Sequence, residues 1–563
     1  MKNTIVLLLV VLALNQVVFA QLSTTTYSKG WHLEDKSESG IYGISLERAF
    51  NELLKDKTPK KKIVVAVIDS GVDTLHEDLK PVLWKNKKEI PGNGMDDDKN
   101  GYTDDLYGWN FIGGKDGTNV GKDSYEAARI YYKFKARFGD QVPDLNQISP
   151  EEKFTYLQFK KAKDQLESQA KDAAMYVLIL KDVVAKIPSA DSILTAALGK
   201  KQYTGDELQE FKTSDPLVGK ARTTVLGFFQ QTRQMENNNV TLINELVQFY
   251  EGEKSKLDAV EKEPQKYRAQ VVKDNYDDPN DRFYGNQDVM GTDASHGTHV
   301  SGIIGAVRNN NIGMKGVANH VEIMTIRAVP DGDEHDKDIA NAIRYAVDNG
   351  AWVVNMSFGK SFSPEKKWVD EAVAYAESKG VLLVHAAGND SKDVDVEDNF
   401  PSQNQFNDTN RIFSNWINVG ASGSSENEIA ATFSNYGKRE VSVFAPGVRI
   451  YSTIPGGNTY GEKDGTSMAS PVVAGLASLI LSYYPELTAQ QVKSILEKTV
   501  TKINGKVVTL PGTEDEMVAM EEISSAGGIV NAYEALKLAA TLKGERKLEP
   551  EKKVIAVKKS TKK

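Results

Sequence analysis

The sequence predicts an α/β protein with a mostly parallel sheet, helices on both faces and an inserted all-α subdomain. Three observations predict it. Short β-branched runs recur at 63–68, 321–326, 352–355, 381–384 and 441–444, the texture of strands buried on both faces. Helical patterns lie between several of them: 339–349 stops at Gly350, and 365–379 stops at Gly380. From about 120 to 280 strand signals fade and the chain becomes charged and helical.

Each element has a local reason. The pattern 365–379 places Val369, Val373 and Ala376 on one face. In the insertion, Ser149 with Glu152, and Thr204 with Glu207, have capping-box spacing, and Pro150 suits a first helical turn. Ala173, Val177, Leu180 and Val184 form one apolar stripe; Leu242, Leu246, Phe249 and Leu257 form another. Caps and stripes argue for folded helices over a disordered charged linker. A later helix starts at Thr488, with Gln491 three residues on, and another candidate covers 529–542.

The organisation expected is a signal peptide at 1–20, a polar extension at 21–60 and sheet pieces at 61–119 and 281–543. The helical insertion at 120–280 separates the pieces, and a basic flexible tail at 544–563 ends the chain. Lys2, the apolar run 5–14 and the small residues Val18 and Ala20 suit export and cleavage after Ala20. That run is short for a bilayer span, and the expected mature chain contains no other candidate span. The extension has one helical candidate, 46–54. A formal net charge of -9 over 563 residues gives no support for nucleic-acid binding. The absence of cysteine excludes disulfides and every thiol mechanism, leaving packing and bound cations to stabilise an exported protein.

Three residues suggest nucleophilic chemistry. Asp69 ends the buried run 63–68, at the strand end where functional groups of parallel sheets collect. Asp69-Ser70-Gly71 alone also reads as a turn. His296 lies in Ser295-His296-Gly297-Thr298-His299-Val300, and its pairing with His299 could also suggest a metal. The intervening glutamate of the zinc-protease signature is missing. Ser467 lies in Gly465-Thr466-Ser467-Met468-Ala469-Ser470-Pro471, a glycine turn entering an apolar helix. By itself that segment reads equally as an N-cap. Together the three supply a nucleophile, a base and an orienting carboxylate, in the order Asp, His, Ser.

These segments, with Val67-Ile68-Asp69-Ser70-Gly71-Val72-Asp73, resemble the three signatures of the subtilisin-like serine peptidases (subtilases). The resemblance covers about 61–115 and 285–540. It implies a subtilisin-like fold and hydrolysis of peptide bonds through an acyl-enzyme, with Asp69, His296 and Ser467 as triad. Ala386-Ala387-Gly388-Asn389 resembles the segment that supplies the oxyanion-hole asparagine, here Asn389. Ser357-Phe358-Gly359 resembles the strand that pairs with substrate backbone, and Ala386, Ala387 and Gly388 would wall the adjoining pocket. The walls read as mostly apolar, suiting a large uncharged residue, with Asp390 at the rim. A Gly-x-Ser-x-Gly esterase elbow is absent.

Calcium is the expected cofactor, in a structural role. Asp96, Asp98, Asn100 and Asp104 lie in an acidic, glycine-containing segment whose alternating oxygens suit a hard cation or an acidic turn. The resemblance implies a second site at Asp78 and Asn310. The expected partners are protein or peptide substrates, with no nucleic acid, and the chain is read as monomeric. Its expected location is periplasmic, cell-surface or extracellular. The rival reading is a catalytically silent relative that binds peptides or proteins through the insertion. The extension looks short for the folding-assisting prodomain that subtilases carry. The insertion, attached between Asp69 and His296, is expected to pack beside the cleft and restrict entry.

Overall fold

A computed structural model describes residues 28–406, 408–503 and 507–548. The expected signal peptide and the tail beyond 548 lie outside the described residues. The chain divides into two compact units: an inserted helical unit, Ala127–Pro264, and a sheet unit containing the described residues from 28 to Glu126 and from Gln265 to 548.

Nine strands form the main sheet among the described residues: β1 (Ile63–Asp69), β2 (Gly108–Asn110), β3 (Val321–Arg327), β4 (Val353–Met356), β5 (Leu382–Ala386), β6 (Trp416–Ser422), β7 (Val443–Pro446), β8 (Thr501–Lys502) and β9 (Gly528–Ile529). Their order is β8-β9-β7-β6-β5-β4-β1-β3-β2. Every pairing is parallel except β8 with β9. This is the subtilisin-like α/β arrangement expected. In β1, Val65 and Val67 join the core on one face and Ala66 and Ile68 that on the other, which explains its unbroken apolar run. The central helix Thr466–Tyr483 lies in the first core; Asp336–Asp348 and Lys366–Ser378 contribute to the second.

Several boundaries differ from the sequence reading. Residues 120–126 and 265–280, read as insertion, belong to the sheet unit, where Val120 and Val272 are buried. The polar extension also enters that unit's core through Trp31, Leu33, Ile44, Leu46 and Leu54. Its amphipathic content is too short for periodicity to reveal. The 529–542 helix shortens to Ala532–Ala539 because Gly528–Ile529 is taken as strand β9. Residues 544–548, read as tail, are fastened by Arg546, which donates to Gly380 O at 2.6 Å and Leu487 O at 3.1 Å.

The helical unit has its own core. Helix Pro150–Leu198 packs with Pro216–Thr232 and Asn239–Glu261 around Leu180, Leu194, Val225, Phe229 and Leu246. Thr204 and Glu207 complete a capping box. Ser149 Oγ accepts from Glu152 N, while the Glu152 carboxylate meets Arg137.

Candidate active site

Asp69 stands at the carboxyl end of β1, buried, where β1 has β3 and β4 on its two sides. His296 is the second residue of helix Ser295–Gly305, and its Nδ1 lies 2.8 Å from Asp69 Oδ1. Asp69 Oδ1 also accepts from Ser70 N at 2.8 Å. Close packing brings this helix to the strand end. A Cβ on Gly297 would lie 2.3 Å from Gly71 O and 3.1 Å from Asp69 Oδ1, so only glycine fits. Thr298 Oγ1 adds a tether by accepting from Asp73 N at 2.8 Å.

The electrostatics favour a protonatable His296. Burial pulls its pKa down, but the Asp69 charge and hydrogen bond more than offset this, and the net shift is upward. His299 is different. It is buried, its Nε2 lies 3.2 Å from Gly461 O, and burial lowers its pKa to about 3. The two histidines face different partners and do not converge as ligands.

Ser467 is the second residue of helix Thr466–Tyr483, at the end where free N–H groups favour negative charge. Its Oγ donates to Ser357 O at 3.2 Å. Asn389 approaches the same turn. Its Oδ1 accepts from Thr466 N and Thr466 Oγ1, both at 2.9 Å, which assigns Nδ2 to the opposite side of the amide. A Cβ on Gly465 would lie 3.4 Å from Asn389 Nδ2 and 3.5 Å from Ser467 N. Both nitrogens therefore lie close to Gly465. Thr466 Oγ1 also accepts from Gly388 N at 3.1 Å, so Thr466 orients Asn389.

The segment Ser357-Phe358-Gly359 continues from β4. Ser357 faces inward rather than towards a ligand: its Oγ accepts from Asn355 Nδ2 and donates to Ser467 O, both at 2.9 Å. Phe358 is half-buried and Gly359 exposed. The next residue, Lys360, pairs through its backbone with Phe400 at 3.0 and 2.8 Å. Its buried ammonium reaches Glu126 Oε2 at 2.7 Å and Asp336 Oδ1 at 2.9 Å. Ala386 and Ala387 are buried, Ala387 O accepts from both Asn399 Nδ2 and Asn435 Nδ2 at 2.9 Å, and Gly388 O accepts from Asn435 N at 2.8 Å. Asp390 is exposed. Sequence reasoning missed Thr466, Asn399 and Asn435 as site residues. Thr466 lay beside the serine; the two asparagines had no local signal.

The acidic loop brings Asp96 and Asp98 together with Glu89, their carboxylate oxygens within 4.8 Å of one another. Glu89 is buried, and its Oε2 has no hydrogen-bond partner among the described residues. Asn100 sits beside them, its N–H reaching Asp96 Oδ1 and Asp98 Oδ1 at 3.1 and 3.2 Å. Asp104 does not join. Its carboxylate accepts from Gly92, Asn93 and Gly94 N–H groups and so holds a neighbouring turn. Glu89 takes the place beside Asp96 and Asp98 that was expected of Asp104. Asp78 and Asn310 do meet, but they hydrogen-bond to each other, and Asp78 Oδ2 accepts from Tyr460 OH at 3.1 Å. Protein donors meet both Asp78 oxygens, as they do both oxygens of Asp96 and of Asp98; what sets the loop apart is Glu89 Oε2.

Residues 60–516 match the profile of the Subtilase family. The chain belongs to this family. Over 211 residues it is 41% identical to Subtilisin DY of Bacillus licheniformis, covering 37% of this chain and 71% of that protein. Over 273 residues it is 34% identical to Thermitase of Thermoactinomyces vulgaris, covering 47% and 85%. It is 41% identical over 212 residues to a Thermophilic serine proteinase of Bacillus sp. (strain AK1), covering 38% and 48%. The chain thus spans about half the length of some curated relatives it matches. In this subtilase, the three motif residues all lie at carboxyl ends of sheet strands or at helix starts.

Proposed function

We propose that this subtilase is a secreted serine endopeptidase that hydrolyses peptide bonds through an acyl-enzyme on Ser467. The observation that carries the reading is the 2.8 Å contact of His296 Nδ1 with Asp69. It reserves Nδ1 for the carboxylate and leaves Nε2 for the serine. Substrate backbone would lie along 357–359. Ser467 Oγ would leave Ser357 O, pass its proton to His296 Nε2 and attack the scissile carbonyl. Asn389 Nδ2 and Ser467 N–H would donate to the developing oxyanion. His296 would return the proton to the leaving amine, and water would then release the acyl group by the same base. Asp69 would stabilise the imidazolium throughout.

A structural calcium ion fits the loop better than an empty acidic turn. Glu89, Asp96 and Asp98 supply close carboxylates, one with a buried oxygen that has no hydrogen-bond partner among the described residues, and Asn100 stands adjacent. Such an ion would neutralise their repulsion and brace the loop. The exported location rests on the 1–20 segment, and access control by the insertion on its attachment between Asp69 and His296.

Incubation with a fluorophosphonate probe and an unfolded protein tests the activity. Labelling should fall on Ser467, and both labelling and cleavage should vanish in Ser467→Ala. Folded wild-type protein that neither labels nor cleaves would overturn the reading in favour of a silent relative.

A further inference from the structure

We infer that His32 makes the N-terminal segment 28–54 a strap that acid releases, and that Trp31 of this strap is a positioning residue for the turn carrying Ser467. The second half rests on the peptidase reading above; the first does not.

The strap is seated by apolar packing and by backbone bonds to distant parts of the sheet unit. Trp31, Leu33, Ile44, Leu46 and Leu54 lie in the main core. Tyr42 N donates to Ser424 O at 3.0 Å, and Ala532 N donates to Ile44 O at 2.7 Å. A further contact leads towards the nucleophile: Trp31 Nε1 donates to Val448 O at 3.2 Å. Val448 stands between two residues that hold the turn before Ser467. Gly447 O accepts from Gly465 N at 2.8 Å, and Arg449 N donates to Asp464 Oδ1 at 2.5 Å. Trp31 thus braces the backbone that holds Asp464-Gly465-Thr466-Ser467.

Beside Trp31, His32 is 1% exposed, and neither ring nitrogen has a hydrogen-bond partner among the described residues. An apolar side chain would occupy such a place without leaving two polar atoms unsatisfied. The charged groups nearby do not favour a proton on the ring. Arg308, which follows helix Ser295–Gly305, acts on it with a like charge, and its guanidinium reaches Glu47 at 2.6 Å. Lys315 also meets Glu47, at 3.5 Å. Within the strap, Glu34 accepts from Ser28 Oγ at 2.6 Å, Asp35 accepts from Ser37 N at 2.8 Å, and Arg48 lies 3.6 Å from Asp35.

Burial, and then Arg308, lowers the His32 pKa from 6.5 to about 3. The seated strap therefore holds a neutral ring, whereas a released strap takes up a proton near the ordinary histidine value. Between those values the released state binds the extra proton, so seating is full above pH 6.5 and weakens as pH falls. The upper part of this range lies above that of ordinary carboxylates, so the Arg308–Glu47 pair is intact where the effect begins.

Hydrogen exchange of peptides within 28–54, corrected for its intrinsic pH dependence, tests the strap. From pH 7.5 to about pH 5 the wild type should lose protection roughly thirtyfold, the linkage expected for a released histidine of ordinary pKa. Peptides from 447–466 should loosen with it. His32→Phe should keep its protection and melt higher than wild type at the acid end. If that variant does not fold, His32→Gln, which takes up no proton either, decides. Equal loss of protection in wild type and variant would overturn the switch. At the neutral end, Trp31→Phe replaces the indole by a ring without a donor. It should lower kcat several-fold, counted per Ser467 titrated with fluorophosphonate, with KM unchanged. An unchanged kcat beside a lowered Tm would reduce Trp31 to packing and overturn its positioning role. Wild type without any Ser467-dependent cleavage would overturn the peptidase reading and the role of Trp31 together, while the exchange data would still judge the strap.

Discussion

Asp69 grips His296 by Nδ1, and in the proposed mechanism this contact fixes both the tautomer and the pKa of the base. Activity requires neutral His296, whose pKa is raised by Asp69 against the opposing effect of burial. The rise of kcat/KM with pH should therefore centre above the ordinary histidine value. Asp69→Asn should move that midpoint down and cost roughly 10⁴-fold in kcat; a pH–rate profile with an unmoved midpoint would contradict the assignment. Glu334 makes a second pH prediction. Burial pushes its carboxyl from 4.5 up to about 8, despite the nearby Lys360 charge. Between those values the folded state keeps a proton that the unfolded chain releases, so stability falls as pH rises. The Tm of Glu334→Gln should therefore gain on wild type from pH 5 to 8. A constant difference would count against this.

Lys360 links three elements. Its backbone follows the 357–359 segment, and its ammonium joins Glu126 at the start of helix Glu126–Phe138 to Asp336 at the start of helix Asp336–Asp348. All three side chains are buried. Lys360→Met would remove one cation from two buried carboxylates and should destabilise the sheet unit by about 3–5 kcal/mol, measured by urea unfolding. A loss under ~1 kcal/mol would mean that solvent already screens the cluster. The acidic loop offers a parallel test. A calcium chelator should lower Tm, by the equivalent of roughly 2.7 kcal/mol if free calcium stood at a hundredfold its Kd. Asp98→Asn should abolish the response; an equal response in that variant would exclude the loop.

At the scale of the molecule, the sheet unit holds both connections to the insertion with its own residues. Glu126 is fastened by Lys360. On the return side, Arg268 pairs with Asp338 at 2.6 Å and Asp274 at 2.7 Å, and Lys337 pairs with Asp274 at 2.7 Å. Loop-closure cost grows slowly with length, so a flexible linker should replace 127–264 without unfolding the remainder. The shortened protein should still label at Ser467. Its rate on folded proteins relative to short peptides should rise if the insertion restricts entry; an unchanged ratio would refute that role.

The parallel-sheet class and the places of Asp69, His296 and Ser467 can be read from the amino-acid order alone. The strands are legible because burial on both faces demands unbroken β-branched runs, and the three residues because each sits in a compact local motif. Thr488 with Gln491 was legible for the same reason, and they form the cap expected. Only the tertiary structure brought Asn399 between Gly359 and Gly388, placed Glu89 rather than Asp104 beside Asp96, and buried Trp31 and Leu33 in the main core. Lone asparagines, a single glutamate and a short polar extension have no period and no motif. Their roles arise from contacts between distant parts of the chain, such as Lys360 with Glu126, which sheet order and helix packing create and local patterning cannot encode.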